Sequence, residues 1–486
     1  MSGHHEELLD ELRRQVGPDH VLTDGDLSSW LLDWRGTSRG RALAVVRPET
    51  TGQVAATVRA CAKWRVGLVP QGGNTGLVGG SIPDASGSQV VLCLRRMNRV
   101  RSIDPVNQTM TAEAGCVLQV LRGIAAEHGL LLPLSMGSEG SCTLGGNLAT
   151  NAGGTQVLRW GNARQLCLGL EVVTATGEVW NGLSGLRKDN SGYDLRDLFI
   201  GSEGTLGVIT AATVTVFPEP RSSATGWATC SSIEDCIAVL SLARAGSGPA
   251  LTGFELMGSG ALDLVHKHFP GRFSSLPRAD WTLLIEMSGQ QDAATTQTMM
   301  ERLLTDAMEK GRVNDAVIAE NIGQQKRMWE ARESVAMAVA QEGPCVRHDI
   351  SMPVSAIPEF VRDTDRRIHD RWPDAQIVNF GHAGDGNLHY NVFPGSLAAS
   401  GGSLGTFEQN VNDVVFDAVC AKAGSITAEH GVGVSKREAV SRRKDPVALD
   451  LMRRIKFALD PGNLLNPGKV LAESSYAPAL KVAAAP

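Results

Sequence analysis

Three glycine-dense segments in the first half of the chain limit what it can fold into more than any other feature. The first, Pro70-Gln71-Gly72-Gly73-Asn74-Thr75-Gly76-Leu77-Val78-Gly79-Gly80-Ser81, follows a short apolar run that reads as a strand. The second runs from Ser135 to Gly154 and adds hydroxyl and amide side chains, and the third, Gly201 to Thr210, leads into another strand. The 54 glycines in 486 residues exceed the roughly 7% of an average protein. Successive backbone N–H groups without Cβ obstruction form an anion-binding concavity, which suits a diphosphate. The first segment has neither the spacing of the G-x-G-x-x-G fingerprint nor the G-K-[ST] ending of a Walker A loop. Any one of the three could be a mobile surface loop. Together they point to one large phosphate-bearing ligand gripped by backbone at several places.

The chain around them opens as an α/β structure. Ala42–Arg47 and Gly67–Pro70 read as strands flanking a helix at Gly52–Trp64, where Val54, Val58 and Cys61 share an apolar side. Leu168–Ala175 and Glu178–Trp180 read as a hairpin about Thr176-Gly177. Pro218-Glu219-Pro220 and the polar Arg221-Ser222-Ser223 mark a domain boundary. Beyond it, alternating short strands and helices suit an α+β domain with helices on one sheet face. The expected division is a cofactor domain over 1–220, a substrate domain over 221–425, a segment at 426–472 returning to the first, and a disordered tail at 473–486. Asn466-Pro467-Gly468-Lys469 belongs to the returning segment.

Composition excludes some functions. A formal net charge of -6, with 46 Lys+Arg against 52 Asp+Glu, argues against a nucleic-acid binder, which carries a basic face. No run of about 18 apolar residues predicts a spanning helix. The nine cysteines are dispersed without a C-x-x-C pair, as expected of reduced thiols. With no basic-then-apolar leader at the start, this leads us to expect a cytoplasmic protein.

A second constellation lies in the other half, at Asn379-Phe380-Gly381-His382-Ala383-Gly384-Asp385-Gly386-Asn387-Leu388-His389-Tyr390-Asn391. Asp385-Gly386 is a hairpin signal. Folding back there sets His382 and His389 near opposite positions, about 5 Å apart at Cβ, with His389 and Asn391 on one strand face. A lone histidine is more often a satisfied core or surface residue. Two imidazoles with one carboxylate, however, leave an open metal coordination position, as catalytic sites do. Ala428-Glu429-His430-Gly431-Val432-Gly433 can supply that carboxylate. Two arginines could serve an anionic substrate: Arg332 in Trp329-Glu330-Ala331-Arg332-Glu333 on a helix, and Arg347 on a strand. The bland alternative for Arg347 is an ion pair with Asp349, two residues along the same strand.

The three glycine segments, their order, and Leu186-Arg187-Lys188-Asp189-Asn190-Ser191-Gly192-Tyr193-Asp194 resemble the vanillyl-alcohol-oxidase-type FAD-binding family. The resemblance extends over roughly residues 32–469 and is nearest to the branch of D-2-hydroxyacid dehydrogenases acting on D-2-hydroxyglutarate, D-lactate or glycolate. It implies an α+β fold: a PCMH-type FAD-binding domain of two α/β subdomains, plus an α+β substrate (cap) domain. The positions it implies for FAD are Pro70, Gly72, Gly73, Asn74, Thr75, Gly76, Leu77, Gly80 and Ser81 in the first segment. In the second they are Ser135, Gly137, Ser138, Cys142, Thr143, Gly145, Gly146, Asn151, Gly153 and Gly154. In the third they are Glu203, Gly204, Gly207, Val208 and Ile209, followed by Asn466 near the C-terminus. Some relatives attach the flavin through a histidine in the first segment. This one has none, with Asn74 near its middle, so the expected FAD is non-covalent.

Metal-dependent members carry the G-H-x-G-D-G-N-x-H and E-H-G patterns. The resemblance therefore implies His382, His389 and Glu429 as ligands of a divalent metal, zinc by expectation, and His430 as general base. It implies Arg332 for a substrate carboxylate. Arg347 stands where the branch has a lysine, keeping the charge but changing reach and fork geometry, and Ala336 stands where some relatives have a hydroxyl residue. Asn391 is a further candidate for a substrate hydrogen bond. The expected reaction oxidises a small anionic D-2-hydroxy acid, D-2-hydroxyglutarate or D-malate foremost, to the 2-oxo acid. D-lactate or glycolate oxidation is the nearest alternative. The branch passes electrons to an acceptor such as electron-transfer flavoprotein or a quinone, and a homodimer is expected. Two rivals of other classes are a flavin-free metal hydrolase, against which the glycine segments speak, and a non-redox flavin transferase. The latter's relatives carry a multi-histidine run where this chain has Thr427-Ala428-Glu429-His430.

Overall fold

The structure is a computed structural model and describes residues 2–395 and 404–472. The tail expected to be disordered, 473–486, lies outside the described residues. Two units divide the chain. The first comprises Met1–Gly154, Gly161–Pro218 and the chain from Glu429 onward; the second comprises Thr155–Trp160 and Glu219–Ala428. Among the described residues no helix is long and apolar enough to cross a membrane.

The first unit holds two main sheets. One has the order β1-β2-β4-β3, formed by β1 (Val21–Leu22), β2 (Ala44–Val46), β3 (Leu68–Gln71) and β4 (Val90–Cys93), with β4 parallel to both its neighbours. β2 and β4 are buried along their whole length, as strands covered on both faces require. The crossover helix Thr51–Trp64 starts where Thr50 accepts the Gln53 N–H and stops at Arg65 in the left-handed region. The other sheet is antiparallel throughout, with order β5-β6-β10-β8-β9 from β5 (Val100–Asp104), β6 (Thr109–Glu113), β8 (Cys167–Val173), β9 (Val179–Gly182) and β10 (Val208–Thr215). β7 (Leu130–Leu131) and β11 (Phe217–Pro218) pair separately. The C-terminal segment returns to β3: Leu465 bridges Leu68 in parallel, and Asn466 N–H donates to the Leu68 carbonyl at 2.7 Å.

The second unit is built on one antiparallel seven-stranded sheet of order β15-β12-β14-β13-β17-β18-β16. Its strands are β12 (Ser222–Cys230), β13 (Leu251–Gly258), β14 (Trp281–Gly289), β15 (Asp315–Ile318), β16 (Val346–Ser351), β17 (Gln376–Gly381) and β18 (Asn387–Phe393). The division between the units falls at Pro218/Glu219, within the expected boundary segment, and β12 starts directly after Arg221, with Ser222 and Ser223 paired to Gly289 and Ser288. The expectation of helices on one face is corrected. Helices Ser259–His268 and Ile322–Glu342 share a core with Trp227, Met257, Leu284 and Phe380 on one face. On the other, Phe360 of helix Ile357–Arg371 packs on Tyr390, and Phe416 of helix Leu404–Ala421 packs on His348. Both faces of a central sheet must be covered, and every residue of β13 is buried.

Candidate active site

In the first unit the glycine segments are packed against one another. Gly73 lies so close to the second segment that a Cβ there would sit 2.1 Å from the Ser141 carbonyl oxygen. Gly433 combines φ +50° with a virtual Cβ 2.2 Å from the Val78 carbonyl oxygen. Part of the glycine content therefore serves loop-on-loop contact. Other groups in these segments suit an anion. None of the backbone N–H groups of Gly73 to Leu77 donates a hydrogen bond among the described residues. The buried Thr143 hydroxyl and the buried Asn466 Oδ1 likewise have no partner there. These groups suit the diphosphate and polar edges of a dinucleotide.

The loop itself is fixed. The Asn74 amide donates to the Ser29 and Leu32 carbonyls at 3.0 and 2.9 Å, and Ser81 donates to Asn74 Oδ1 at 2.9 Å. Asn466 donates to the carbonyls of Gly80 and Glu203 at 2.8 and 2.7 Å, joining the first and third segments. Beneath it the buried Lys456 ammonium donates to Asp460 and to the carbonyls of Thr205 and Leu465. Glu203, expected at the cofactor, spends its carboxylate on the N–H groups of Val432 and Gly433. Glu429 is held in the same unit, its Oε1 accepting the Gly154 N–H at 2.8 Å.

The histidine hairpin lies in the second unit. Register places His389 opposite Phe380 rather than opposite His382, because the turn takes up residues that the two-residue reading gave to the strands. The imidazoles still meet edge to face, with centroids 5.5 Å apart. Each is backed by a buried carboxylate. Glu255 Oε1 lies 2.7 Å from His382 Nδ1, and Asp349 Oδ1 lies 4.0 Å from His389 Nδ1. Asp349 is itself fixed by Asn387, whose amide donates to it at 3.0 Å. Two imidazoles beside carboxylates form a donor set that suits a divalent metal such as zinc.

Arg332 on helix Ile322–Glu342 is only 6% exposed, and its Nε donates to Glu255 Oε2 at 2.8 Å. Its guanidinium carbon lies 5.0 Å from the Phe380 ring centroid. Burial opposes charge on Glu255, but His382 and Arg332 outweigh it and hold the carboxyl below its ordinary value. Arg347 pairs in register with Asn391, and Asp349 with His389, so these four share one sheet face. The pairing of Arg347 with Asp349 does not form; among the described residues Arg347 has no ion pair, and its Nε donates to Cys345 Sγ at 3.4 Å. The Asn391 amide is engaged by the carbonyls of Val378 and His389. The Ala428 N–H donates to the Asp349 carbonyl at 3.3 Å, and Glu429 and His430 are the next two residues of the chain.

Sequence reasoning missed Glu255 and gave Asp349 no role beyond Arg347. The available signal was a glutamate inside the apolar run Phe254-Glu255-Leu256-Met257, whose charge needs a buried partner.

Residues 42–182 match the family "FAD binding domain", and residues 219–470 match "FAD linked oxidases, C-terminal domain". Over 471 residues the chain is 39% identical to the mitochondrial D-2-hydroxyglutarate dehydrogenase of Bos taurus, covering 96% of this chain and 84% of that protein. It is 36% identical over 456 residues to a D-2-hydroxyglutarate dehydrogenase of Xanthomonas citri pv. viticola, covering 93% and 94%. A Schizosaccharomyces pombe protein described as a mitochondrial D-lactate dehydrogenase is 34% identical over 475 residues, covering 93% and 88%. In fold it is similar to p-cresol methylhydroxylase, with a TM-score of 0.76 at 17% identity over 98% of both chains.

The chain therefore belongs to the FAD-linked oxidases, with the vanillyl-alcohol-oxidase/PCMH-type fold, and it is an FAD-dependent oxidoreductase. Within that class it belongs to the family of D-2-hydroxyacid dehydrogenases. The flavin-free hydrolase reading falls with this assignment.

Proposed function

We propose that the protein oxidises D-2-hydroxyglutarate to the 2-oxo acid, using non-covalent FAD and a divalent metal, zinc in the first instance. The observation that carries this reading is one sheet face bearing Arg347, Asp349, His389 and Asn391, beside His382 and Arg332. It offers imidazoles for a metal and guanidiniums for carboxylates in one unit. A dicarboxylate needs two cationic partners, and Arg347, with no ion pair among the described residues, is suited to the second. The D-lactate relative supports the monocarboxylate alternative, which needs only one.

His382 and His389 would hold the metal, and Glu429 would complete the set, entering the chain directly after Ala428. When bound, the metal supplies Lewis acidity toward the substrate hydroxyl and carboxylate. FAD, when bound, supplies N5 as the acceptor of the hydride from C2. Arg332 keeps part of its five-donor fork beyond Glu255 to orient the carboxylate next to C2. Arg347 takes the distal carboxylate, and Asn391 fixes the strand from which it projects. His430 removes the hydroxyl proton, since imidazole titrates near neutrality.

The first glycine segment, without a histidine, supports FAD that is released on denaturation. The nine cysteines, all free, support a reducing compartment, and we place the protein in the cytoplasm as a homodimer passing electrons to an electron-transfer flavoprotein or a quinone. Replacing His430→Asn tests the base. Bound flavin should stay, and single-turnover flavin reduction by D-2-hydroxyglutarate should slow about 100- to 10,000-fold. An unchanged reduction rate would remove His430 from that role.

A further inference from the structure

Glu255 is the one charged residue of β13, Leu251–Gly258, in which every residue is buried. A carboxylate in such a place is costly unless its oxygens are paired. Glu255 divides its two oxygens between two elements. Oε1 faces His382 Nδ1 at 2.7 Å at the end of the histidine hairpin's first strand, and Oε2 accepts Arg332 Nε at 2.8 Å from helix Ile322–Glu342. An ion pair with Arg332 alone would occupy one oxygen and leave the other idle.

The contact with His382 has a chemical consequence. An imidazole whose Nδ1 proton is held by a carboxylate keeps its Nε2 lone pair as the ligand atom, and its ring is locked in orientation. The carboxylate beside the other histidine stands farther off. Asp349 Oδ1 stands 4.0 Å from His389 Nδ1 and accepts the Asn387 amide at 3.0 Å. On the Arg332 side, the Phe380 ring lies 5.0 Å from the guanidinium carbon, so the group is confined between an acid and an aromatic ring.

We infer that Glu255 is a positioning residue that sets the His382 imidazole for metal and the Arg332 guanidinium for the substrate carboxylate at the same time. The inference rests on the reading of His382 as a metal ligand given above. Its content is coupling: the metal ligand and the carboxylate anchor are fixed by one side chain 127 residues away from His382 in the chain and 77 from Arg332.

The test uses the full, flavin-loaded chain and three variants: Glu255→Gln, Arg332→Met and the double variant. Zinc affinity is measured by competition with a chromogenic chelator, with flavin absorbance and thermal unfolding followed in parallel. Glu255→Gln should lower zinc affinity about 10- to 100-fold, the usual effect of losing such a carboxylate, and raise KM for D-2-hydroxyglutarate while flavin is retained. Arg332→Met should raise KM and leave zinc affinity unchanged. The double variant, which leaves no buried unpaired arginine, should fold and keep the weakened zinc binding. It carries the test if Glu255→Gln alone does not fold. Parent-like zinc affinity in Glu255→Gln, or its recovery in the double variant, would overturn the coupling while leaving the metal site standing. A parent protein that binds no zinc or other divalent metal would overturn the metal reading and this inference with it.

Discussion

Glu203 accepts the N–H groups of Val432 and Gly433 through its two carboxylate oxygens, at 2.7 and 2.9 Å. It lies in the third glycine segment at φ +53°, and its partners follow His430 by two and three residues. Burial pushes its carboxyl above the ordinary value, while the two N–H bonds pull the other way. The side chain thus ties the turn that carries Glu429 and His430 to the third glycine segment of its own unit. Glu203→Gln places an amide donor against one of these N–H groups. The expected outcome is FAD content near that of the parent with kcat lower by about 100-fold, the scale on which a displaced catalytic group acts. The ratio of flavin to protein absorbance, read beside steady-state kinetics, checks both halves. Lost FAD with normal turnover after reconstitution would instead favour the cofactor role expected for Glu203.

Arg347 is half-buried and makes no ion pair among the described residues, so its removal should spare the fold. A charge-assisted hydrogen bond contributes about 1.5–3 kcal/mol, and tenfold corresponds to about 1.4 kcal/mol. Arg347→Met should therefore raise KM for D-2-hydroxyglutarate about 10- to 100-fold. D-lactate, lacking the distal carboxylate, should show the same KM in both proteins. Equal losses on the two substrates would place Arg347 at the shared carboxylate instead.

Glu286 is half-buried on β14, where its carboxylate accepts hydrogen bonds from Thr252 Oγ1 and Trp329 Nε1, both at 2.9 Å. Burial raises its carboxyl above the ordinary value despite these bonds, and the nearby Glu255 adds to the rise. The folded state therefore holds a proton that the unfolded state has released, between the ordinary carboxyl value and the raised one. Stability falls as pH rises through that window and stays at the lower level above it. Glu286→Gln has no such proton to lose. Its melting temperature relative to the parent should climb across the window, and calorimetry over that pH range checks the sign.

The sequence was most readable where chemistry is local. The glycine segments, the helix read at Gly52–Trp64 and the turn signal at Asp385-Gly386 all follow from neighbours in the chain. Reading failed where meaning depends on distant partners. β13 shows no alternation because it is buried on both faces, so its polar period is absent. Glu255 then gains a role only through His382 and Arg332, which the fold brings to it. The hairpin register slipped for a related reason. The turn between β17 and β18 is longer than its Asp-Gly signal implies, with Asp385 and Asn387 N–H groups both donating to the His382 carbonyl. Glu203 was recognised by its motif, but its hydrogen bonds to Val432 and Gly433 could not be read from sequence.

The most direct measurement is anaerobic flavin bleaching by D- and L-2-hydroxyglutarate, before and after removal of divalent metal with a chelator. The expected result is rapid bleaching by the D-acid alone, lost on chelation and restored by added zinc, with the flavin bound throughout. Bleaching by the L-acid, or bleaching by the D-acid that is indifferent to chelation, would contradict the metal-dependent D-2-hydroxyacid mechanism.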